Sequence, residues 1–386
     1  MKKTVNITNP QNCVACTGCV NICPVSAIKL CPDKEGFAYP FIEAEKCTAC
    51  GLCVKVCPME KVKDEYTPPV AYMAKSNDIK ILQQSSSGGI FYFLAKEVIK
   101  NNGVVFGAAL SKDVVEHIGI EKKEDLPKLM GSKYVQSDLN ETFRIIKNRL
   151  TKNQKVLFVG TPCQVAGLYS FLGNRHKDLI TVDFICHGVP SPSVFKRYVT
   201  YIENKFNKKI CDVQFRSKKI SWSRFSLAVK FTDNTEFVEE FTLNSYMKGF
   251  INNLFLRPSC HDCRFKEKNH FGDITIGDFW GIKNVKPELD TESGVSLCCI
   301  NTQNGADWFE NIKKQLLVES VSFDEAIKYN TAYTKSVKPN RMREWFFKHL
   351  DKEPIDKNIN NSLNPSLFMR LLLKIQKRKY LSEKWN

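Results

Sequence analysis

Hydrophobic and polar positions along this chain change period several times, and the changes separate a short N-terminal stretch from a long body of alternating segments. Ile90 to Ile99 is strongly apolar at helical spacing. Val104 to Leu110 and Val114 to Ile120 read as strands, Leu139 to Leu150 as a helix, and Val156 to Val159 as a buried strand. Pro162 to Leu172 predicts the next helix, Leu179 to Ile185 a strand, and Ser193 to Phe206 a further helix. This alternation predicts an α/β layer with a largely parallel or mixed sheet. Farther on, Phe225 to Phe231 and Glu236 to Phe241, separated by Asp233-Asn234-Thr235, predict a hairpin. Gly272 to Gly281 predicts a short strand flanked by glycines and by the carboxylates Asp273 and Asp278, which either orient a ligand or end the strand.

The N-terminal stretch carries a different signal. Cys13, Cys16, Cys19 and Cys23-Pro24 are repeated 34 positions later as Cys47, Cys50, Cys53 and Cys57-Pro58. Three cysteines at every third position hold one iron-sulfur cube, and the fourth, before proline, reaches the neighbouring cube. The assignment is Cys13, Cys16, Cys19 and Cys57 on one 4Fe-4S cluster and Cys47, Cys50, Cys53 and Cys23 on the other. Gly18 and Gly51 lie inside the loops, where backbone amides close around sulfide without a side chain in the way. Zinc sites seldom use this spacing, and disulfides require a secreted chain. Cys31 falls outside both repeats and is expected to be a packed thiol. The module, a bacterial-type two-cluster ferredoxin fold, is expected to end near Tyr66, with Thr67-Pro68-Pro69 as a linker.

Composition adds limits. The chain has 386 residues, 43% of them hydrophobic, enough for a small module and one or two larger domains. No stretch approaches the roughly 20 apolar residues that span a bilayer, so a cytoplasmic protein is expected. Sixteen cysteines fit a reducing compartment if most hold metal. The net charge is +16, and the first 66 residues, with 8 lysines against 7 acids, leave about +15 on the rest. No basic run interleaved with aromatics points to nucleic acid. The basic body is instead expected to attract an acidic redox protein such as a ferredoxin. From Arg341 onward, 11 basic and 5 acidic residues surround the apolar run Leu367 to Ile375. This tail is expected to pack as a terminal helix, with peripheral membrane contact as the alternative.

Candidate chemistry in the body begins at Ser85-Ser86-Ser87-Gly88-Gly89, directly before the helix at Ile90. Small residues opening a helix present free amides to an anion such as a dinucleotide phosphate. Gly131-Ser132-Lys133-Tyr134 ends a helical stretch with a cation and an aromatic ring suited to a cofactor. Cys163 opens a helix directly after one strand, and Cys186 directly follows the next. If those strands are parallel neighbours, both thiols emerge on the same sheet edge. Cys260 and Cys263 supply a second pair, and four thiolates suffice for a third 4Fe-4S cluster or a structural zinc. A competing reading makes Cys163 a nucleophile with His187 as its base. Cys211, Cys298 and Cys299 are expected in the core.

Taken together, Ser87 to Gly89, Gly131 to Tyr134, Thr161 to Gln164, Cys186, the Cys260/Cys263 pair and the Asp273 to Gly277 strand resemble the coenzyme F(420) hydrogenase/dehydrogenase beta-subunit family, here behind a ferredoxin extension. The resemblance covers about Ser85 to Gly281. It implies FAD held partly by Ser87, Gly88, Gly89, Ser132, Lys133 and Tyr134, and a 4Fe-4S cluster on Cys163, Cys186, Cys260 and Cys263. The expected organisation is residues 1–66 as ferredoxin domain, 67–150 with the flavin loops, 151–335 with the third cluster and 336–386 as basic tail. The expected function is an iron-sulfur flavoprotein oxidoreductase linking a one-electron carrier to a two-electron substrate. The alternative is a non-catalytic electron-transfer subunit of a larger redox complex.

Overall fold

The two cysteine repeats fold alike because their backbones make the same unusual turns. A computed structural model describes residues 9–60, 67–266, 270–289 and 293–366. Within it Ala15 and Thr17 adopt φ of 52° and 61°, and their counterparts Ala49 and Gly51 adopt 56° and 76°. Left-handed backbone at a non-glycine residue costs on the order of 1–3 kcal/mol and persists where its surroundings impose it. Each loop then runs into a short helix, α1 (Gly18–Ile22) or α2 (Leu52–Lys55). Of the two loop glycines, Gly51 takes the left-handed conformation and Gly18 does not. The left-handed turn of the first loop falls one residue earlier, on Thr17, and Gly18 begins α1 as the counterpart of Leu52.

Between the repeats, β1 (Ile28–Pro32) and β2 (Ala38–Ile42) pair antiparallel, with Ile28 opposite Ile42. Cys31 is exposed, contrary to the expectation of a packed thiol. The pleat explains this: Ile28 is buried, whereas Lys29 and Cys31, two apart, are both exposed.

The body starts with β3 (Val70–Ser76), α3 (Ile79–Gln84) and α4 (Ile90–Lys100), followed by β4 (Val104–Ser111), β5 (Val114–Ile120) and α5 (Leu126–Leu129). Helix α6 covers Thr142–Thr151, three residues later than the apolar pattern suggests, because Leu139 to Glu141 form the turn into it. Next come β6 (Val156–Gly160), α7 (Pro162–Leu172), β7 (Leu179–Phe184) and α8 (Pro192–Phe206). The strands β8 (Ile210–Ser217), β9 (Ser226–Phe231) and β10 (Glu236–Glu240) precede α9 (Ser245–Ile251), and β11 (Ile274–Asp278), β12 (Ser296–Ile300) and β13 (Leu316–Val321) follow it.

Eight strands form one mixed sheet in the order β13-β3-β12-β11-β7-β6-β4-β5. Its centre, β4-β6-β7-β11, is parallel, and the flanking strands pair antiparallel. The central strands read as continuous apolar runs because helices cover both faces. Cys298 and Cys299 are fully buried in β12, and alternation sends them into different core clusters. Cys211 does not join them: it is exposed at a register shift in the β8-β9 ladder, where the alternation is broken. The β8-β9-β10 sheet and α8 enclose a second apolar core. Phe346, Leu350, Ile355 and Ile359 close that core from the C-terminal segment. The expected tail helix at Leu367 to Ile375 lies outside the described residues. Among the described residues no helix is long and apolar enough to cross a membrane.

Arginines from the body hold the N-terminal module by its main chain. Arg144 on α6 donates from Nε to the Asn21 carbonyl (2.6 Å) and from Nη2 to those of Val20 (3.2 Å) and Cys23 (3.1 Å), at the end of α1. Arg264 Nη1 donates to the Met59 carbonyl (2.5 Å), and Arg343 forms a two-pronged ion pair with Glu35. Hydrogen bonds from a charged donor contribute about 1.5–3 kcal/mol each. Arg144→Ala therefore loosens the module specifically: hydrogen exchange at residues 9–60 accelerates about tenfold to a hundredfold while the central sheet is unchanged. Unaltered exchange in the module would show that Arg144 does not hold it.

Candidate metal centres

The first module centre gathers Cys13, Cys16, Cys19 and Cys57. Burial pushes the Cys16 thiol up to about 12, and the neighbouring Cys13 and Cys57 push in the same direction. The Cys19 thiol is raised by burial and then by Cys16, Cys13 and Cys57. The fourth member thus comes from the other repeat. Backbone amides already aim at these sulfurs, with Ala15 N donating to Cys13 Sγ at 3.4 Å and the Gly18 amide serving Cys16. Left-handed Ala15 and Thr17 curl the chain around the thiols.

At the second centre, Cys23, Cys47, Cys50 and Cys53 line one cavity, with Val25, Ile42 and Leu52 beside them. Ala49 N donates to Cys47 Sγ at 3.4 Å, repeating the Ala15 contact, and Ala27 N donates to Cys23 Sγ at 3.2 Å. Cys50 is exposed, as are the apolar side chains of Val25, Phe41 and Leu52, so this centre faces solvent.

The body brings its own four cysteines together. β6 and β7 are parallel neighbours, and Cys163 and Cys186 follow them on one edge. Thr161 caps α7 in a reciprocal box with Gln164, and its hydroxyl lies 3.1 Å from Cys163 Sγ. Cys260 sits in a 3-10 turn over Pro258–Asp262 that Cys263 ends. Burial raises the Cys163 thiol strongly, and Cys263, Cys186 and Cys260 all add to the rise. Burial likewise pushes Cys186 up to about 11 and Cys260 up to about 12. A nucleophile needs the opposite shift, and His187 Nε2 donates to Asn253 Oδ1 at 2.7 Å. Among the described residues no three His, Cys, Asp or Glu side chains converge tightly enough for one metal ion. Cys163 and Cys263 pack on one apolar cluster, and the amide of Val189, three residues after Cys186, donates to Cys260 Sγ at 3.5 Å.

Two cations stand at these thiols with main-chain oxygens as partners. Lys266 donates to the carbonyls of Cys186 and Ala332, and Arg257 to those of Cys13 and Ala38. Leaving buried cations uncompensated costs several kcal/mol, so the surroundings suit an anionic group. Sequence reasoning missed both residues, although both lie within three positions of the Cys260/Cys263 pair.

Helix α7 links the body thiols to the module. Cys163 is in its first turn, and Gly167 one turn later packs on Cys16, where an added Cβ would come within 2.6 Å of Cys16 Cβ and 2.9 Å of its Sγ. Ala166 and Phe265 share one apolar cluster with Cys53, Cys57, Cys163 and Cys263.

The predicted cofactor loops also meet. Ser86 Oγ accepts from Ser132 N at 2.7 Å, and Gly88 N donates to Ser296 Oγ at 2.8 Å. Ser87 Oγ donates to the Val295 carbonyl. Gly89, at φ 88°, opens α4 with no side-chain cap. Lys133 is turned onto the carbonyls of Lys128 and Met130, and burial brings its ammonium down to about 7. Tyr134 stacks on Phe250 at 4.5 Å. Residues the sequence did not single out stand beside these loops. Lys218 Nζ donates to the carbonyls of Leu82, Ser87 and Ser293, tying the loop down. Arg216 pairs with Asp278 at 2.5 Å and lies over the Trp280 ring, while its Nε and Nη2 are buried without a hydrogen-bond partner. Asp278 thus anchors Arg216 and, through Trp222 Nε1 at 2.8 Å, the stacked tryptophans. Asp273 instead accepts from Arg175, Tyr169, Thr181 and Thr302 in a structural knot.

Comparison with known proteins adds two families. Residues 153–326 match the family described as the C terminus of the coenzyme F(420) hydrogenase/dehydrogenase beta subunit. Residues 12–61 match the 4Fe-4S dicluster domain. No curated protein matches the chain. Among solved structures, a chain of the F(420)-reducing [NiFe] hydrogenase complex from Methanosarcina barkeri is similar at 16% identity, over 70% of this chain and 93% of that one, with a TM-score of 0.44.

The Gly167 contact gives a test with an unusual sign. Alanine in a helix interior is ordinarily favoured over glycine by about 0.5–1 kcal/mol. Here overpacking against Cys16 costs about 1–3 kcal/mol, so Gly167→Ala is expected to lower the thermal midpoint and the visible absorbance per chain. A raised midpoint with undiminished absorbance would show that α7 does not press on Cys16.

Proposed function

Because residues 153–326 match the C terminus of the coenzyme F(420) hydrogenase/dehydrogenase beta subunit and residues 12–61 a 4Fe-4S dicluster domain, we propose that this chain is a beta-subunit-like oxidoreductase moving electrons through three 4Fe-4S clusters and one FAD. Cys13, Cys16, Cys19 and Cys57 would hold the first cluster, Cys23, Cys47, Cys50 and Cys53 the second, and Cys163, Cys186, Cys260 and Cys263 the third. The observation that carries the proposal is the packing of Gly167, one turn after Cys163 on α7, against Cys16, together with the apolar cluster in which Cys53 and Cys57 meet Cys163 and Cys263; both support sites that adjoin.

The donor sets fit the groups. Thiolate is the ligand such clusters require, and raised thiols ionise when metal replaces the proton. The solvent-facing site with Cys50, Val25, Phe41 and Leu52 suits contact with an external one-electron carrier such as a ferredoxin, or a larger redox complex. The basic body steers an acidic carrier toward the chain.

The flavin loops fit an anionic, planar ligand. Orphaned Arg216 nitrogens offer donors, Trp280 and Trp222 stack at 5.2 Å, and the start of α4 presents amides. In this reading Ser87, Gly88, Gly89, Ser132, Lys133 and Tyr134 would hold the flavin. When bound, FAD supplies the exchange between two-electron hydride chemistry and single electrons. β11, whose last residue is Asp278, pairs with β7, which Cys186 follows. Adjacent strands lie about 4.8 Å apart, so the proposed flavin and third cluster sites would adjoin along one sheet edge.

Anaerobically purified protein is expected to contain about twelve irons, matching acid-labile sulfide and one FAD. Turnover with a ferredoxin or deazaflavin supports an enzyme, and fully loaded protein that reacts with no soluble acceptor points to an electron-transfer subunit. Colourless protein lacking sulfide and flavin would overturn the proposal.

A further inference from the structure

Arg257 is among the most completely buried large side chains in the protein, with 1% of its surface exposed. Its Nε donates to the Cys13 carbonyl at 2.6 Å, its Nη1 to Gln136 Oε1 at 3.0 Å and its Nη2 to the Ala38 carbonyl at 3.0 Å. The guanidinium lies 4.4 Å from the Tyr39 ring centroid and 5.5 Å from that of Phe37. Its main chain faces the other way, donating to the Val189 carbonyl and accepting from the Cys260 amide, both at 3.0 Å. One residue therefore grips a loop of the inner module site with its side chain and a loop of the body site with its backbone.

No carboxylate is among these partners. Glu35, which comes near through Tyr39, is paired with Arg343, and Asp33 accepts the amides of Glu35 and Phe37. Guanidinium carries a fixed positive charge. Burying it with only neutral oxygens costs several kcal/mol unless an anion lies close. The anions at hand are the thiolates on either side.

We propose that Arg257 is a positioning residue that raises the electron affinity of the two inner clusters relative to the outer one on Cys23, Cys47, Cys50 and Cys53. The inference rests on the three-cluster reading. When one electron passes from an external reductant to an inner cluster, that cluster gains one negative charge. Arg257 offsets it in a low-dielectric site where Coulomb attraction is strong. The outer site has no contact with Arg257 and faces solvent, so its affinity is set by water. Electrons entering at the surface are thereby drawn inward.

The experiment is a mediated redox titration of anaerobic wild-type, Arg257→Gln and Arg257→Lys holoprotein with dithionite, read by electron paramagnetic resonance, with iron and sulfide measured on each sample. At the potential where the inner clusters of the wild type are half reduced, Arg257→Gln is expected to lower their reduced-to-oxidised ratio about tenfold or more, with the outer ratio unchanged. Arg257→Lys, which keeps the charge and loses part of the hydrogen-bond fork, is expected to stay within about threefold of wild type. Iron-replete Arg257→Gln with unmoved inner ratios, or a shift shared equally by the outer cluster, would overturn the inference alone. If Arg257→Gln fails to load iron, Arg257→Lys decides: a tenfold fall despite the retained charge overturns it. Wild-type protein without iron removes the three-cluster reading and this inference together.

Discussion

A missing side chain at Gly167 lets helix α7 lie directly on Cys16, and much of the architecture follows from that contact. The helix is capped by Thr161 and Gln164 and starts at the edge of the parallel strands, so its position is fixed by the central sheet. Pressing it against the module places Cys163, at its start, and Cys16, beside its middle, along a single rigid element. Arg144, Arg257, Arg264 and Arg343 then fasten the module with hydrogen bonds to carbonyls and to Glu35. Main-chain oxygens are suitable targets because their positions do not depend on side-chain rotamers.

This arrangement gives the three thiol sites different surroundings. The site of Cys23, Cys47, Cys50 and Cys53 opens to solvent at Cys50 beside exposed apolar side chains, whereas the other two have the buried cations Arg257 and Lys266 beside them. Differences in burial and nearby charge are the levers by which a protein sets cluster potentials. The sheet continues the line. From Cys163 and Cys186 its edge passes to Asp278, Ser296 and the serine-glycine loop, so the cleft proposed for flavin is ordered by the same strands.

Much of this was legible in the sequence where the determinants are local. The cysteine repeats specify the module, and Cys163 and Cys186 betray their shared edge because each directly follows a strand. Helices α7 and α8 carry their own caps and prolines. What stayed hidden depends on distant partners. Arg257 meets Cys13 across 244 positions and Lys218 meets Leu82 across 136, and neither leaves a periodic trace. β3, β12 and β13 join the sheet antiparallel from far apart in the chain. Thr17 bore a conformation that composition alone assigns to glycine, because the cysteine loop as a whole imposes it. Cys211 and Cys31 escaped the core through a ladder irregularity and through pleat phase.

The central claim is that the body thiols and the inner module thiols hold adjoining clusters. Electron paramagnetic resonance of the fully reduced, iron-replete protein tests it most directly, since paramagnets across a shared wall interact magnetically. The account predicts broadened, mutually coupled spectra in which the module signals lose the part of their broadening that the body cluster causes when Cys163 is replaced by serine. Three independent signals with the relaxation of isolated clusters would contradict it.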